Sequence, residues 1–129
     1  LPAVLSEEGQ LAEVITHLFV RAAEVYTADS EHCGCLVMDA TRNCGDEEAK
    51  ALTAGFQQAT WQLICDRITA SEPKLSNYQT ETLSHYAMTI LMGLSSRARD
   101  GLSAASLIEI ATIAGEGFSQ RLQQYRENS

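Results

Sequence analysis

The side chains best suited to chemistry in this chain are concentrated in residues 31–44. This stretch holds His32, Cys33, Cys35 and Cys44, and it therefore includes three of the chain's four cysteines. A structural zinc site requires four tetrahedral ligands, usually with two residues between paired cysteines, and the single residue between Cys33 and Cys35 does not fit. Residues two apart on a helix point about 200° away from each other, so these two thiols converge only if Cys33 lies outside a helix. A thiol near a helix N-terminus can have a lowered pKa, which leaves oxidation sensing through Cys33 or Cys44 open.

We interpret Cys35 and Cys65 as small buried apolar residues at the start of one helix and within another. Metal binding or redox sensing through the cluster is kept as the alternative function. The sequence has no Gly-rich phosphate loop, no His-Glu-x-x-His motif and no nucleophile elbow. His17, His32 and His85 stand apart in the sequence. We therefore predict neither an enzyme nor a cofactor.

The composition is that of one globular domain covering residues 1–129, with 17 acidic and 9 basic residues and a formal net charge of −8. This charge has the wrong sign for contacts with phosphates, so we expect no direct binding of nucleic acid by this chain. No apolar run is long enough to span a membrane, and the first residues lack the basic region of a signal peptide. The chain is expected to be cytoplasmic, where thiols stay reduced.

Apolar residues recur at helical spacing along most of the sequence, and no segment has the alternation of a strand. Ser6 is the predicted cap of the first helix, Asp46 of the next long helix, and Ser76, with Gln79, and Ser103 of the last two. Pro73 and Gly101 are the predicted stops. The fold class is all-α, a helical bundle of four long helices and one short helix, with these predicted spans: 6–28, 35–41, 47–72, 77–100 and a last helix that follows Ser103.

Each long helix has one predicted apolar stripe, and two helices have a second. The last two helices carry more apolar surface than a small bundle can cover alone, which favours self-association, although periodicity alone equally allows both lines of the last helix to face the core. The predicted stripes are Leu11, Val14, Ile15, Leu18, Ala22, Val25 and Tyr26; then Leu52, Phe56, Ala59 and Leu63 beside Trp61, Ile64 and Ile68; and finally Leu107, Ala111, Ala114, Phe118 and Leu122 beside Ile110, Ile113 and Gly117.

Several short motifs resemble the C-terminal regulatory domain of TetR-type bacterial transcription regulators. They are Gly-Cys-Leu at 34–36, Gly-Leu-Ser at 93–95 and Ala-Arg-Asp-Gly at 98–101, the last followed by the capping Ser103. Many members have Gln where this chain has Met92. The resemblance covers nearly the whole chain in order and spacing, and it implies that the family's N-terminal helix-turn-helix DNA-binding domain precedes residue 1 and is not present in this chain.

The resemblance also implies a function and a set of site residues. The last two long helices would pair with those of a second subunit to form a homodimer, and a small-molecule effector of unknown identity would bind between the first helices and the helix before the interface. Effector binding would then switch DNA binding by the missing domain, which is the only part expected to contact DNA. No membrane partner is expected. The predicted effector-binding residues are Phe19, Tyr26, Phe56, Thr60, Trp61 and Tyr86, and the predicted dimer-interface residues are Ile90, Leu94, Leu107, Ile110, Ala111, Ala114 and Phe118.

Overall fold

The computed structural model describes residues 2–28 and 47–128, and every described element is helical. A 3-10 turn, Pro2–Ser6, here called the leading turn, precedes four α-helices: α1, Leu11–Thr27; α2, Glu47–Ser71; α3, Asn77–Arg99; and α4, Ala104–Glu127. This confirms the all-α prediction. The predicted short helix, the Asp46 cap and the cysteines Cys33, Cys35 and Cys44 lie outside the described residues. None of the described helices is long and apolar enough to cross a membrane.

The prediction that the first helix begins at Ser6 is wrong. Ser6 closes the leading turn, and α1 begins only at Leu11, after Gln10, which makes no side-chain capping bond. The interruption lies at Gly9, whose φ of +133° is outside the helical region. The residues between Ser6 and Leu11 therefore form a non-helical link between the leading turn and α1, here called the link.

The helix α1 is the central element of the core. Its predicted stripe is buried from Leu11 to Tyr26 with one exception, because Val25 is exposed. α1 packs most extensively against α4, and the two helices cross at Gly115. A Cβ atom at Gly115 would lie 2.2 Å from Thr16 Oγ1, so only glycine permits this approach.

The two predicted stripes of α2 have different environments. Ile64 and Ile68 are fully buried and Trp61 is half-buried, whereas Phe56, Ala59 and Leu63 are exposed. Two stripes on one helix predict that α2 is covered on two sides, and this prediction is wrong for Phe56, Ala59 and Leu63. In the part of the chain that the structure describes, this apolar side of α2 is exposed.

The helices α3 and α4 begin at the predicted caps. Ser76 and Gln79 form both hydrogen bonds of a capping box, each 3.0 Å long, and Ser103 Oγ accepts from the Ser106 backbone N–H. Gly101 separates the two helices with a φ of +92°. The short connection makes α3 and α4 antiparallel neighbours, which sets the geometry of the site described next.

Candidate functional site

The predicted effector-binding residues form two aromatic contacts on different helix pairs. Phe19 of α1 is buried and meets Tyr86 of α3 edge to face, with ring centroids 6.4 Å apart. Trp61 of α2 stacks on His85 of α3 with centroids 5.4 Å apart and an interplanar angle of 28°. Because Tyr86 and His85 are sequence neighbours on α3, the first turns of this helix position both aromatic pairs. Sequence reasoning treated His85 only as an isolated histidine and did not pair it with Trp61.

The polar atom of Trp61 is buried without an acceptor among the residues that the structure describes. Its Nε1–H is a donor only, and leaving such a group unpaired costs on the order of 1–3 kcal/mol. An unpaired buried donor in a native structure is often a position where a ligand or water supplies the acceptor. This N–H is therefore a buried donor of α2 that lacks an acceptor among the described residues.

Two other predicted residues lie close by on the same helix. Phe56 is 41% exposed, and Thr60 is half-buried. The Thr60 hydroxyl donates to the Phe56 carbonyl oxygen at 3.0 Å, so its proton is engaged within α2. On a helix Phe56 and Trp61 point about 140° apart, so the exposed Phe56 ring and the core-packed Trp61 lie on different sides of α2. Tyr26, the sixth predicted residue, is buried near the end of α1.

Tyr86 of α3 contacts both Phe19 of α1 and the backbone of α4. Its hydroxyl donates to the backbone carbonyl of Ala114 at 2.9 Å, and a Cβ atom at Gly117 would lie 3.0 Å from the same oxygen. A groove of about 400 Å³ opens beside this contact between α3 and α4. Burial raises the pKa of the Tyr86 phenol above its usual value, which favours the protonated hydroxyl that donates this hydrogen bond.

Most of the predicted dimer-interface residues face the core of the single chain. This corrects the prediction, because a fully buried side chain offers no surface to a partner, and α1 already covers this face of α4. Ile90 is half-buried, and Ile110 is 43% exposed. The neighbouring Ile113, which belongs to the second predicted line of α4, is 59% exposed. The predicted interface residues that are buried within the chain are Leu94, Leu107, Ala111, Ala114 and Phe118.

The described cysteine is placed for packing. Cys65 is buried, and its Sγ lies 3.1 Å from the Ser84 hydroxyl. Burial is the main cause that raises the pKa of the thiol, which keeps it protonated and poorly nucleophilic. Within residues 2–28 and 47–128 no group of three His, Cys, Asp or Glu side chains is arranged to hold a metal ion.

Comparison with known proteins places this helical arrangement among transcription regulators. The chain is 26% identical over 124 residues to the HTH-type transcriptional repressor BdcR of Escherichia coli, an alignment that covers 96% of this chain and 60% of BdcR. The chain is homologous to TetR-family regulators. No family model matches it. The homology confirms the resemblance that the short motifs indicate.

Solved structures share the same helical fold. Two structures of cysteine-substituted CifR, a TetR family transcriptional regulator complexed with operator DNA, superpose with TM-scores of 0.74, at 23% and 22% identity. Each superposition covers 89% of this chain and 63% or 62% of the CifR chain. The chain therefore spans about three fifths of the length of the TetR-family proteins that it matches.

Proposed function

We propose that this chain is the effector-sensing and homodimerisation domain of a TetR-type regulator that acts in the bacterial cytoplasm. The observation that carries the proposal is the alignment with a repressor along almost the whole chain. DNA would be bound by a helix-turn-helix outside these 129 residues. The net charge of −8 supports this, because a negatively charged domain is repelled by DNA phosphates. The experiment for this part is an electrophoretic mobility shift with the 129-residue chain, in which duplex DNA should migrate unchanged. A shift at physiological salt would contradict it.

The proposed dimer surface is the outer face of α4. Ile110, Ile113 and Gly117 follow one another at spacings of three and four, so they share one face, and both isoleucines are exposed. In a symmetric dimer each subunit buries its two isoleucines, so four isoleucine side chains are removed from water, which favours association.

The dimer proposal is tested by one charged substitution with a matched control. Ile110→Asp places a charge in the proposed interface and should convert the dimer to a monomer in sedimentation equilibrium. Leu63→Asp is the control, because Leu63 is also 43% exposed but lies on α2. A wild-type chain that is monomeric, or equal dissociation in both variants, would contradict the proposed surface.

The proposed effector contact is centred on Trp61, on the side of α2 that faces α3, with Phe56 and Thr60 on the preceding turn. An uncharged, largely apolar molecule with one hydrogen-bond acceptor matches an aromatic environment that holds one buried, unpaired indole N–H. Effector binding switches the protein only if the effector binds one of two conformations more tightly. This contact supports the sensing role, and it defines the chemical class of the effector but not its identity.

Nile red, an uncharged apolar dye with a carbonyl acceptor, serves as the probe. Its emission should increase on binding, and Trp61→Phe should weaken the affinity about tenfold, the consequence of losing one buried hydrogen bond worth about 1.4 kcal/mol. Tyr78→Phe is the control, since Tyr78 is an exposed aromatic residue at the start of α3. Unchanged dye affinity in Trp61→Phe would contradict the role of the indole N–H.

A further inference from the structure

One arginine of α2 donates hydrogen bonds to the leading turn at one point and to the link at two. The Arg67 guanidinium donates from Nη1 to the carbonyl oxygens of Leu5, at 3.2 Å, and Glu7, at 2.7 Å. Its Nη2 donates to the carbonyl oxygen of Gly9 at 3.3 Å. These acceptors lie about sixty residues earlier in the sequence, so nothing in local spacing indicates the contact. A single side chain thus bonds three alternate carbonyls where the leading turn gives way to α1.

The link needs donors from outside itself. Backbone carbonyls of a non-helical segment must be paired with side chains, water or other backbone, and the link interrupts the helical ladder at Gly9. A guanidinium suits this task because its planar fork presents several N–H donors in fixed directions and always carries charge. An ammonium group has no such fork, so lysine cannot reproduce the same three bonds.

The link is also fixed on its other side. Leu5 is buried in the core, and the Glu7 carboxylate lies 2.8 Å from His17 Nδ1 of α1. Arg67 therefore connects the leading turn and the link to α2, while Leu5 fixes the leading turn in the core and His17 connects the link to α1. Trp61 precedes Arg67 by six residues on the same helix, which is about 9 Å along the helix axis. A displacement of α2 at Trp61 therefore also moves Arg67.

We propose that Arg67 is the positioning residue through which α2 and the link move together. This inference rests on the proposed function: an effector that engages the Trp61 face would displace α2, and Arg67 would carry the displacement to the leading turn, next to the proposed DNA-binding part of the protein. The two-state element is the link, which is either bonded to Arg67 or released from it.

The first test measures whether Arg67 holds the link. In Arg67→Met the peptides covering residues 2–10 should exchange amide hydrogens about tenfold faster than in the wild type, because the three hydrogen bonds from the guanidinium are lost. Arg67→Lys should restore this protection only in part. The matched control is Arg21→Met, because Arg21 is exposed and its ion pair lies within α1. Exchange within twofold of the wild type in Arg67→Met would overturn the proposal.

The second test measures coupling, which a purely structural bond would not produce. Gly9→Ala strains the backbone at φ +133° without a clash, because the added Cβ meets only Glu13 Oε2 at 4.0 Å. Trp61 is the sole tryptophan, so the emission reports on the surroundings of this one ring, where α2 contacts His85 of α3. Gly9→Ala should shift that emission in the wild-type background and leave it unchanged when Arg67 is Met.

The control for this test is Gly93→Ala, a helical site with open space around the new Cβ, which should leave the emission unchanged. An emission unaffected by Gly9→Ala, or shifted equally in both backgrounds, would overturn the coupling. Both tests need neither dye nor DNA. They can therefore fail while the dimer and Nile red results stand, and they can succeed when those results do not.

Discussion

The contact between α1 and α4 at Gly115 predicts a clear cost for adding one methyl group. In Gly115→Ala the new Cβ would lie 2.2 Å from Thr16 Oγ1 and 2.7 Å from both Thr16 Cβ and Cγ2. Rotating the Thr16 side chain cannot relieve the contact, because its Cβ is itself too close, and its hydroxyl is bonded to the Ala12 carbonyl oxygen at 2.8 Å. The helices α1 and α4 must therefore separate along the largest interface of the core.

The magnitude follows from two opposing terms. Overpacking a well-filled site costs about 1–3 kcal/mol, and we expect the upper end because three atoms obstruct the methyl group. Replacing glycine by alanine inside a helix stabilises the folded state by about 1 kcal/mol, because alanine has the higher helix propensity. The free energy of unfolding should thus fall by about 2 kcal/mol, which lowers the urea midpoint by about 1 M for a chain of this size.

The assay is urea unfolding followed by far-UV circular dichroism at a fixed protein concentration, because dimerisation would make stability depend on concentration. Gly93→Ala is the matched control: it is helical, nothing lies within 4 Å of the new Cβ, and it should raise stability by up to about 1 kcal/mol. Adding Thr16→Ala to Gly115→Ala should recover part of the loss, because two of the three obstructing atoms are removed. A Gly115→Ala protein as stable as the wild type would refute the reasoning.

Three further predictions concern a cap, a thiol and a phenol. Ser76→Ala removes the capping box of α3 and should lower the free energy of unfolding by about 1 kcal/mol in the same urea assay, whereas the neighbouring Asn77→Ala should have little effect. The Cys65 thiol, whose pKa is raised chiefly by burial, should react with Ellman's reagent only on unfolding once the other three cysteines are serine; rapid reaction of the native protein would contradict its placement. Burial also raises the pKa of Tyr86, so the folded state favours the protonated phenol. The stability from this group is complete below the unfolded pKa of about 10 and is lost as the pH rises towards the folded value. Urea melts of Tyr86→Phe should accordingly show a shallower decline than the wild type above pH about 10, and parallel declines would contradict the assignment.

Local sequence was sufficient for the features set by local physics. The capping box at Ser76, the cap at Ser103 and the stop at Gly101 depend on hydrogen bonds and backbone angles within a few residues, and the structure has all three. The apolar line of α4 from Leu107 to Leu122 also follows from helical spacing alone, although the surface that covers it does not. Each of these features belongs to one helix or one turn and needs no knowledge of a neighbouring helix.

Helical periodicity does not determine which of two apolar stripes on a helix is buried. The packing of the neighbouring helices decides this. Phe56 and Leu63 have the spacing of a core stripe, yet they are exposed because the neighbouring helices cover the side of α2 that carries Ile64 and Ile68. In the same way the line of Ala111 and Phe118 is buried by α1, which leaves Ile110 and Ile113 as the open face.

The sequence by itself therefore determined the all-α class, the caps at Ser76 and Ser103, the stop at Gly101, and the short motifs that indicate a TetR-type domain. The tertiary structure alone decided that Trp61 stacks on His85, that Tyr86 reaches the Ala114 carbonyl, and that Arg67 holds a link about sixty residues away. The physical reason is range. Caps and helical periods are fixed by interactions within one or two turns, whereas these contacts join separate helices and exist only after the chain has packed.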